Sequence, residues 1–134
     1  MAKAEGLPPT ASTVVPGLSL NYAGNWAYAY SGSVAVSSSE ISLLDFTSGA
    51  GIIVGFFNSQ FGFEGNTNDD YLWRVYLNDL AIMAINITSA KDLDANRVDI
   101  IIPPFTHVKV TAVNATQAVA NKVGGNITGR VYDV

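Results

Sequence analysis

The chain has 134 residues, a formal net charge of −4, 49% apolar residues and only 13% charged ones. That length suits one domain with a core of its own, and its seven Lys and Arg stand singly, without the basic stripe that nucleic-acid binding needs. The absence of cysteine excludes disulfides and thiolate metal sites, and a single histidine, His107, excludes a multi-histidine metal site within one chain.

A charged share of about 25% is usual. So charge-poor a chain reads either as a protein whose surface is covered by neighbours or as an extracellular protein with a Ser/Thr/Asn-rich surface. The N-terminal stretch has no apolar h-region of a signal peptide. No stretch approaches the ~18 uninterrupted apolar residues of a membrane-spanning helix.

Residues 1–17 contain Pro8, Pro9 and Pro16 with Gly6 and Gly17. They read as an extended arm, either a tail without fixed structure or an arm lying on a neighbouring subunit through Leu7, Val14 and Val15. The remainder, 18–134, reads as the folded domain. Leu18–Tyr22 is a short strand, followed by a turn at Ala23-Gly24-Asn25. Trp26–Val36 is a longer strand with Trp26, Tyr28 and Tyr30 on one face and Ala27 and Ala29 on the other, and Gly32 marks a bulge within it. Ser37–Glu40 is a turn, and Ile41–Thr47 the next strand. After Gly49-Ala50-Gly51, the apolar run Ile52–Phe63, with Phe61 near its end, suits a central strand buried on both faces.

Glu64–Asp70 is a polar loop. Tyr71–Leu77 is a strand with Tyr71, Trp73 and Val75 on one side. Asn78 and Asp79 both tolerate left-handed backbone and make a tight turn into Leu80–Thr88, the clearest hairpin of the chain. Ser89–Arg97 is a second polar loop. Val98–Ile102, with three β-branched residues in a row at Ile100–Ile102, is extended until Pro103 and Pro104, which cannot donate to a ladder, end it. His107–Val113 then alternates, with Val108, Val110 and Ala112 on the dry face and His107, Lys109 and Thr111 on the wet one. Asn114–Lys122 suits either a helical turn or a strand, Gly124-Gly125 reads as a turn, and Asn126–Tyr132 closes the domain. This amounts to about eight or nine strands with turn signals between them. The fold expected is all-β: an antiparallel β-sandwich, jelly-roll-like, with an extended N-terminal arm. An immunoglobulin-like sandwich is the alternative.

Chemistry is harder to find. His107 lies on the wet face of a strand without a nucleophile elbow nearby in sequence. Glu64, Asp69, Asp70 and Asp99 could supply a carboxylate pair, but all except Asp99 share one solvated loop. Asp92, Asp94 and Asn96 have the alternate spacing that opens a calcium loop, yet Arg97 stands where its glycine belongs and Pro103 where its glutamate belongs. Asn86, Asn114 and Asn126 head Asn-x-Thr sequons, which matter only in a secretory pathway. No catalytic residue, cofactor site or established metal site follows. The row Trp26, Tyr28, Tyr30 has three readings: core packing, a subunit interface, or a platform for sugar rings.

The runs Ile101-Ile102-Pro103-Pro104-Phe105-Thr106 and Ile127-Thr128-Gly129-Arg130-Val131-Tyr132, with the aromatic strand from Trp26 and the segment Val75–Asn78, resemble small β-sandwich virion proteins of tailed bacteriophages and related marine viruses. The resemblance covers residues 18–134, and its motifs are structural. It implies a non-enzymatic virion protein, a capsid decoration (cement) protein assembled in the host cytoplasm. Its partners would be the major capsid protein or another virion protein, and it would form a homo-oligomer such as a trimer, without nucleic acid or membrane. The alternatives are a carbohydrate- or receptor-binding module of a viral tail or spike, and, third, a glycosidase fragment.

Overall fold

Alternation along His107–Asn114 sets the inside of the molecule: Val108, Val110 and Ala112 are fully buried and His107 and Lys109 look outward, while Thr111, expected on the wet face, is buried with its hydroxyl donated to Glu40. This is one of ten strands in the computed structural model, which describes residues 19–64, 70–87, 96–116 and 121–133. The strands are β1 (Asn21–Ala23), β2 (Trp26–Tyr30), β3 (Val34–Val36), β4 (Ile41–Thr47), β5 (Ile52–Glu64), β6 (Tyr71–Leu77), β7 (Leu80–Ile87), β8 (Asn96–Ile102), β9 (His107–Asn114) and β10 (Asn121–Tyr132). No helix occurs among the described residues.

The strands form two antiparallel sheets. The larger has six strands in the order β1-β2-β10-β5-β8, with β3 also on β10, and the smaller has four in the order β4-β9-β6-β7. The pairing is nested. Around the β6–β7 hairpin come β5 with β8, β4 with β9, and β3 with β10. From β3 onward, successive strands outside the hairpin pass from one sheet to the other, the connectivity of a jelly roll. The expected all-β sandwich is therefore present, with ten strands where eight or nine were expected.

Two local features alter the expected strands: the one expected at Leu18–Tyr22 runs Asn21–Ala23 instead, and the one expected at Trp26–Val36 is divided, which gives the tenth strand. Asn21–Ala23 pairs with β2 through a tight turn at Gly24 and Asn25, Gly24 having φ +62°. Trp26–Val36 is two strands, because Gly32 at φ +71° breaks the ladder instead of bulging it. The break is held by Ser31, whose N–H donates to the Gly125 carbonyl at 3.0 Å and whose Oγ accepts from the Gly125 N–H at 2.9 Å.

Gly124 and Gly125 do not form a turn. They lie inside β10, where the register shifts after Lys122. A Cβ on Gly125 would sit 2.9 Å from the Phe57 ring. The Gly124 carbonyl accepts the indole N–H of the fully buried Trp73 at 3.3 Å, tying the smaller sheet to the larger. Ile53, Phe57, Ile102 and Ile127 from the larger sheet join Leu44, Trp73, Val75 and Val110 from the smaller in one core.

The diproline corner carries the chain from β8 in the larger sheet to β9 in the smaller. Phe105 there has φ +53° and is exposed, with its N–H donated to the Gly49 carbonyl at 2.8 Å. The Asn78-Asp79 turn has φ +51° and +68°, as the sequence predicts for two left-handed positions. Strand β5 is central, between β10 and β8, but buried on one face only: Ile53 and Phe57 are buried and Val54 is exposed. The arm 1–17 and the residues 117–120 of the ambiguous segment lie outside the described residues.

Candidate functional site

The two sheets present very different outer faces. On the smaller one, polar groups satisfy one another. The Glu40 carboxylate accepts the hydroxyls of Thr111 and of Tyr76 (3.0 Å) and faces Arg74 at 3.5 Å. These partners, the Thr111 hydroxyl foremost, hold the Glu40 carboxyl below the usual carboxylate range, against a smaller opposing effect of burial. His107 Nε2 lies 2.6 Å from Asp45 Oδ1, and its Nδ1 lies 3.9 Å from Asp79. The one histidine thus pairs with carboxylates of β4 and of the hairpin turn, and its backbone N–H is capped by Asn78 Oδ1 at 2.9 Å. Lys109 stands 5.9 Å from the centre of the Tyr76 ring.

The larger sheet exposes an aromatic face. The expectation that Trp26, Tyr28 and Tyr30 share a side is met, and that side is outward: Trp26 is 49% and Tyr30 53% exposed, while Ala27 and Ala29 are buried. The core-packing reading of this row is therefore corrected. Two alanines fit under the neighbouring sheet where aromatic rings do not, so the large side chains point out.

Register arranges this face as a grid running across β2, β10, β5 and β8. One row is Trp26, Arg130, Val54, Ile101; the next is Tyr28, Thr128, Phe56, Asp99; the third is Tyr30, Asn126, Asn58, Arg97. Tyr28 and Tyr30 lie with ring centres 5.3 Å apart. The Arg97 guanidinium lies 3.9 Å from the centre of the Phe56 ring. That of Arg130 stands between Trp26 at 5.9 Å and Tyr132 at 5.8 Å.

A shallow trough follows the grid. One part, about 760 Å³, is bordered by Trp26, Tyr132, Arg130, Arg97, Asp99 and Ile101. The other, about 420 Å³, shares Phe56 and Thr128 with it and ends at Tyr30, Asn58 and Asn126. An apolar aromatic surface with a few convergent polar groups is the usual make-up of a recognition site. Among the described residues, neither Arg97 nor Arg130 forms an ion pair, whereas Arg74 and His107 on the opposite face do.

Other candidates fare as follows. Leu7, Val14 and Val15 lie outside the described residues, as do Asp69, Asp92 and Asp94; Asn96 opens β8. Among the described residues no group of three acidic, histidine or cysteine side chains could hold a metal ion. Asp99 belongs to the trough, while Asp70 is at the start of β6 with its N–H on Thr116 Oγ1. Asn114 is buried, with Oδ1 accepting the Thr116 N–H at 2.9 Å, which removes that sequon from the surface. Sequence reading missed Arg97, Arg130, Phe56 and Tyr132 as site residues. The outward alternation of Thr128, Arg130 and Tyr132 was legible, but not that β10 lies beside β2.

No protein-family model matches this chain, and neither does any curated protein or any solved structure.

Proposed function

We propose that the protein is a non-enzymatic virion structural protein, a capsid decoration protein that works by burying the outer face of its larger sheet against a neighbour. The observation that carries this reading is the aromatic face itself. In a chain with only 13% charged residues, Trp26, Tyr30, Ile101 and Tyr132 stand exposed on one surface of a rigid sheet. Isolated exposed apolar side chains are ordinary, but a contiguous group of them marks an interaction surface. Jelly rolls recur in viral capsid and lectin domains. Fold does not fix function, and the motifs of β8–β9 and β10 supply the resemblance to virion proteins.

The test is co-sedimentation with purified empty capsids of the source virus. Wild-type protein sediments in fixed stoichiometry, and the double variant Trp26→Ala/Tyr30→Ala stays in the supernatant while keeping its unfolding midpoint. Equal sedimentation of the two would remove the face from the account.

One observation favours a second reading, a carbohydrate-binding module of a virion surface. The aromatic rings border a trough in which the Asn58 and Asn126 amides, the Thr128 hydroxyl and the Arg97 and Arg130 guanidinium groups stand among aliphatic side chains. Aromatic faces stack on apolar sugar faces, and amides serve sugar hydroxyls as both donors and acceptors.

A further inference from the structure

We propose that the trough on the larger sheet binds an extended acidic glycan, whose rings rest on the aromatic row and whose uronate carboxylates pair with Arg97 and Arg130. The inference rests on the carbohydrate reading above and names the ligand class.

The chain is net negative, yet the trough lining holds two guanidinium groups against one carboxylate, Asp99. Both guanidinium groups lie against aromatic rings, Arg97 on Phe56 and Arg130 between Trp26 and Tyr132. Such stacking orders the side chain while leaving its N–H fork open. A preordered fork matches a carboxylate in a two-point, charge-assisted hydrogen bond.

Spacing then favours a polymer. Arg130 is level with Val54 on β5, and Arg97 is level with Asn58 on the same strand. Four residues along the strand and two strands across put their backbones about 16 Å apart. One sugar ring cannot reach both, so the two cations address carboxylates on different residues of an extended chain.

The remaining groups choose sugar over acidic peptide. Asn126 stands between Tyr30 and Asn58 across the sheet, a row of donors and acceptors suited to hydroxyls. Asp99 is level with Phe56, between the two arginine rows. It accepts a sugar hydroxyl there, whereas poly-L-glutamate offers neither a hydroxyl to Asp99 nor a ring face to the aromatic row.

The experiment measures binding of the full chain to polygalacturonate, alginate and hyaluronate, by titration calorimetry and by quenching of Trp26 fluorescence at low salt. Fully methyl-esterified polygalacturonate and poly-L-glutamate serve as comparators. Binding to at least one uronate polymer is expected, about tenfold or more weaker for the methyl ester where polygalacturonate is bound, and absent for poly-L-glutamate. Arg130→Gln and Arg97→Gln each weaken uronate binding about tenfold with an unchanged unfolding midpoint. Equal binding of acid and ester, unaffected by either arginine variant, overturns the acidic ligand but leaves the carbohydrate reading standing. Binding of poly-L-glutamate as tight as of the uronates overturns the glycan in favour of an acidic protein partner. No binding to any of the sugars overturns both the inference and the carbohydrate reading.

Discussion

Ser48 and Thr106 lock together two of the corners at which the chain changes sheets, β4–β5 and β8–β9. The Ser48 N–H donates to the Thr106 carbonyl at 2.9 Å; its hydroxyl donates to the Pro103 carbonyl and accepts the Thr106 N–H, both at 2.8 Å. The Ser48 hydroxyl thus satisfies backbone groups freed where the β8–β9 crossing leaves its ladder, and the Ser48 N–H ties the β4–β5 crossing to it.

Ser48→Ala therefore leaves the buried Thr106 N–H and the Pro103 carbonyl without this partner. The expected cost is about 1–3 kcal/mol, read as a lower urea midpoint with an unchanged slope. Thr47→Ala, at an exposed neighbouring position, is the control and stays within about 0.5 kcal/mol.

Gly55 and Gly129 face each other across β5 and β10. A Cβ on Gly55 would lie 2.0 Å from the Thr128 carbonyl oxygen and 2.3 Å from the Gly129 Cα, both backbone atoms that cannot move alone. Gly55→Ala is expected to cost about 3 kcal/mol or more. Recovery of soluble protein and thermal denaturation check this, and a fully stable variant would contradict the strand register.

The β6–β7 turn offers the opposite outcome. Asp79 has φ +68° and its side chain is exposed, so Asp79→Gly relieves left-handed backbone and gives the Asn-Gly pair that such hairpins favour. The variant is expected to equal or exceed wild-type stability by up to about 1 kcal/mol. Asn78→Ala loses the acceptor for the His107 N–H and is expected to cost about 1 kcal/mol.

Glu40 links stability to acid. Its carboxyl is depressed in the folded state, chiefly by the Thr111 hydroxyl, so the charged form favours folding. That contribution is complete above the unfolded carboxylate value and is lost as pH falls through the lower folded value. Glu40→Gln is expected to be modestly less stable than wild type at pH 7, with the gap closing below about pH 4. Parallel denaturation curves from pH 7 to pH 3 would show it, and a gap that persists at the lowest pH would contradict the carboxylate's role.

Much of the fold was legible because it is written locally. Ile41–Thr47, Tyr71–Leu77 and the Asn78-Asp79 turn follow from period-two alternation and from two residues that tolerate positive φ. What was not legible depends on distant partners. Gly124-Gly125 signals a turn by local chemistry, yet both lie inside β10, where Phe57 leaves no room for a Cβ on Gly125 and Trp73 donates to the Gly124 carbonyl. Alternation separates Trp26, Tyr28 and Tyr30 from Ala27 and Ala29 but does not say which set is inside. Arg97 on Phe56 and Arg130 beside Trp26 join residues brought together only by strand order.

Residues 1–17 read as an arm that lies on a neighbouring subunit, and for a capsid decoration protein that neighbour belongs to the shell. Deleting them is expected to leave a folded sandwich, since the sequence places the folded domain at 18–134, and to lower capsid occupancy. Unchanged occupancy would assign the contact to the sheet face alone.

The most direct measurement is capsid co-sedimentation of wild type beside Trp26→Ala/Tyr30→Ala, with solution mass followed by light scattering. The account predicts that wild type adds to capsids in regular stoichiometry and that the folded double variant does not. A wild-type protein that remains free of capsids at every concentration would contradict the decoration role.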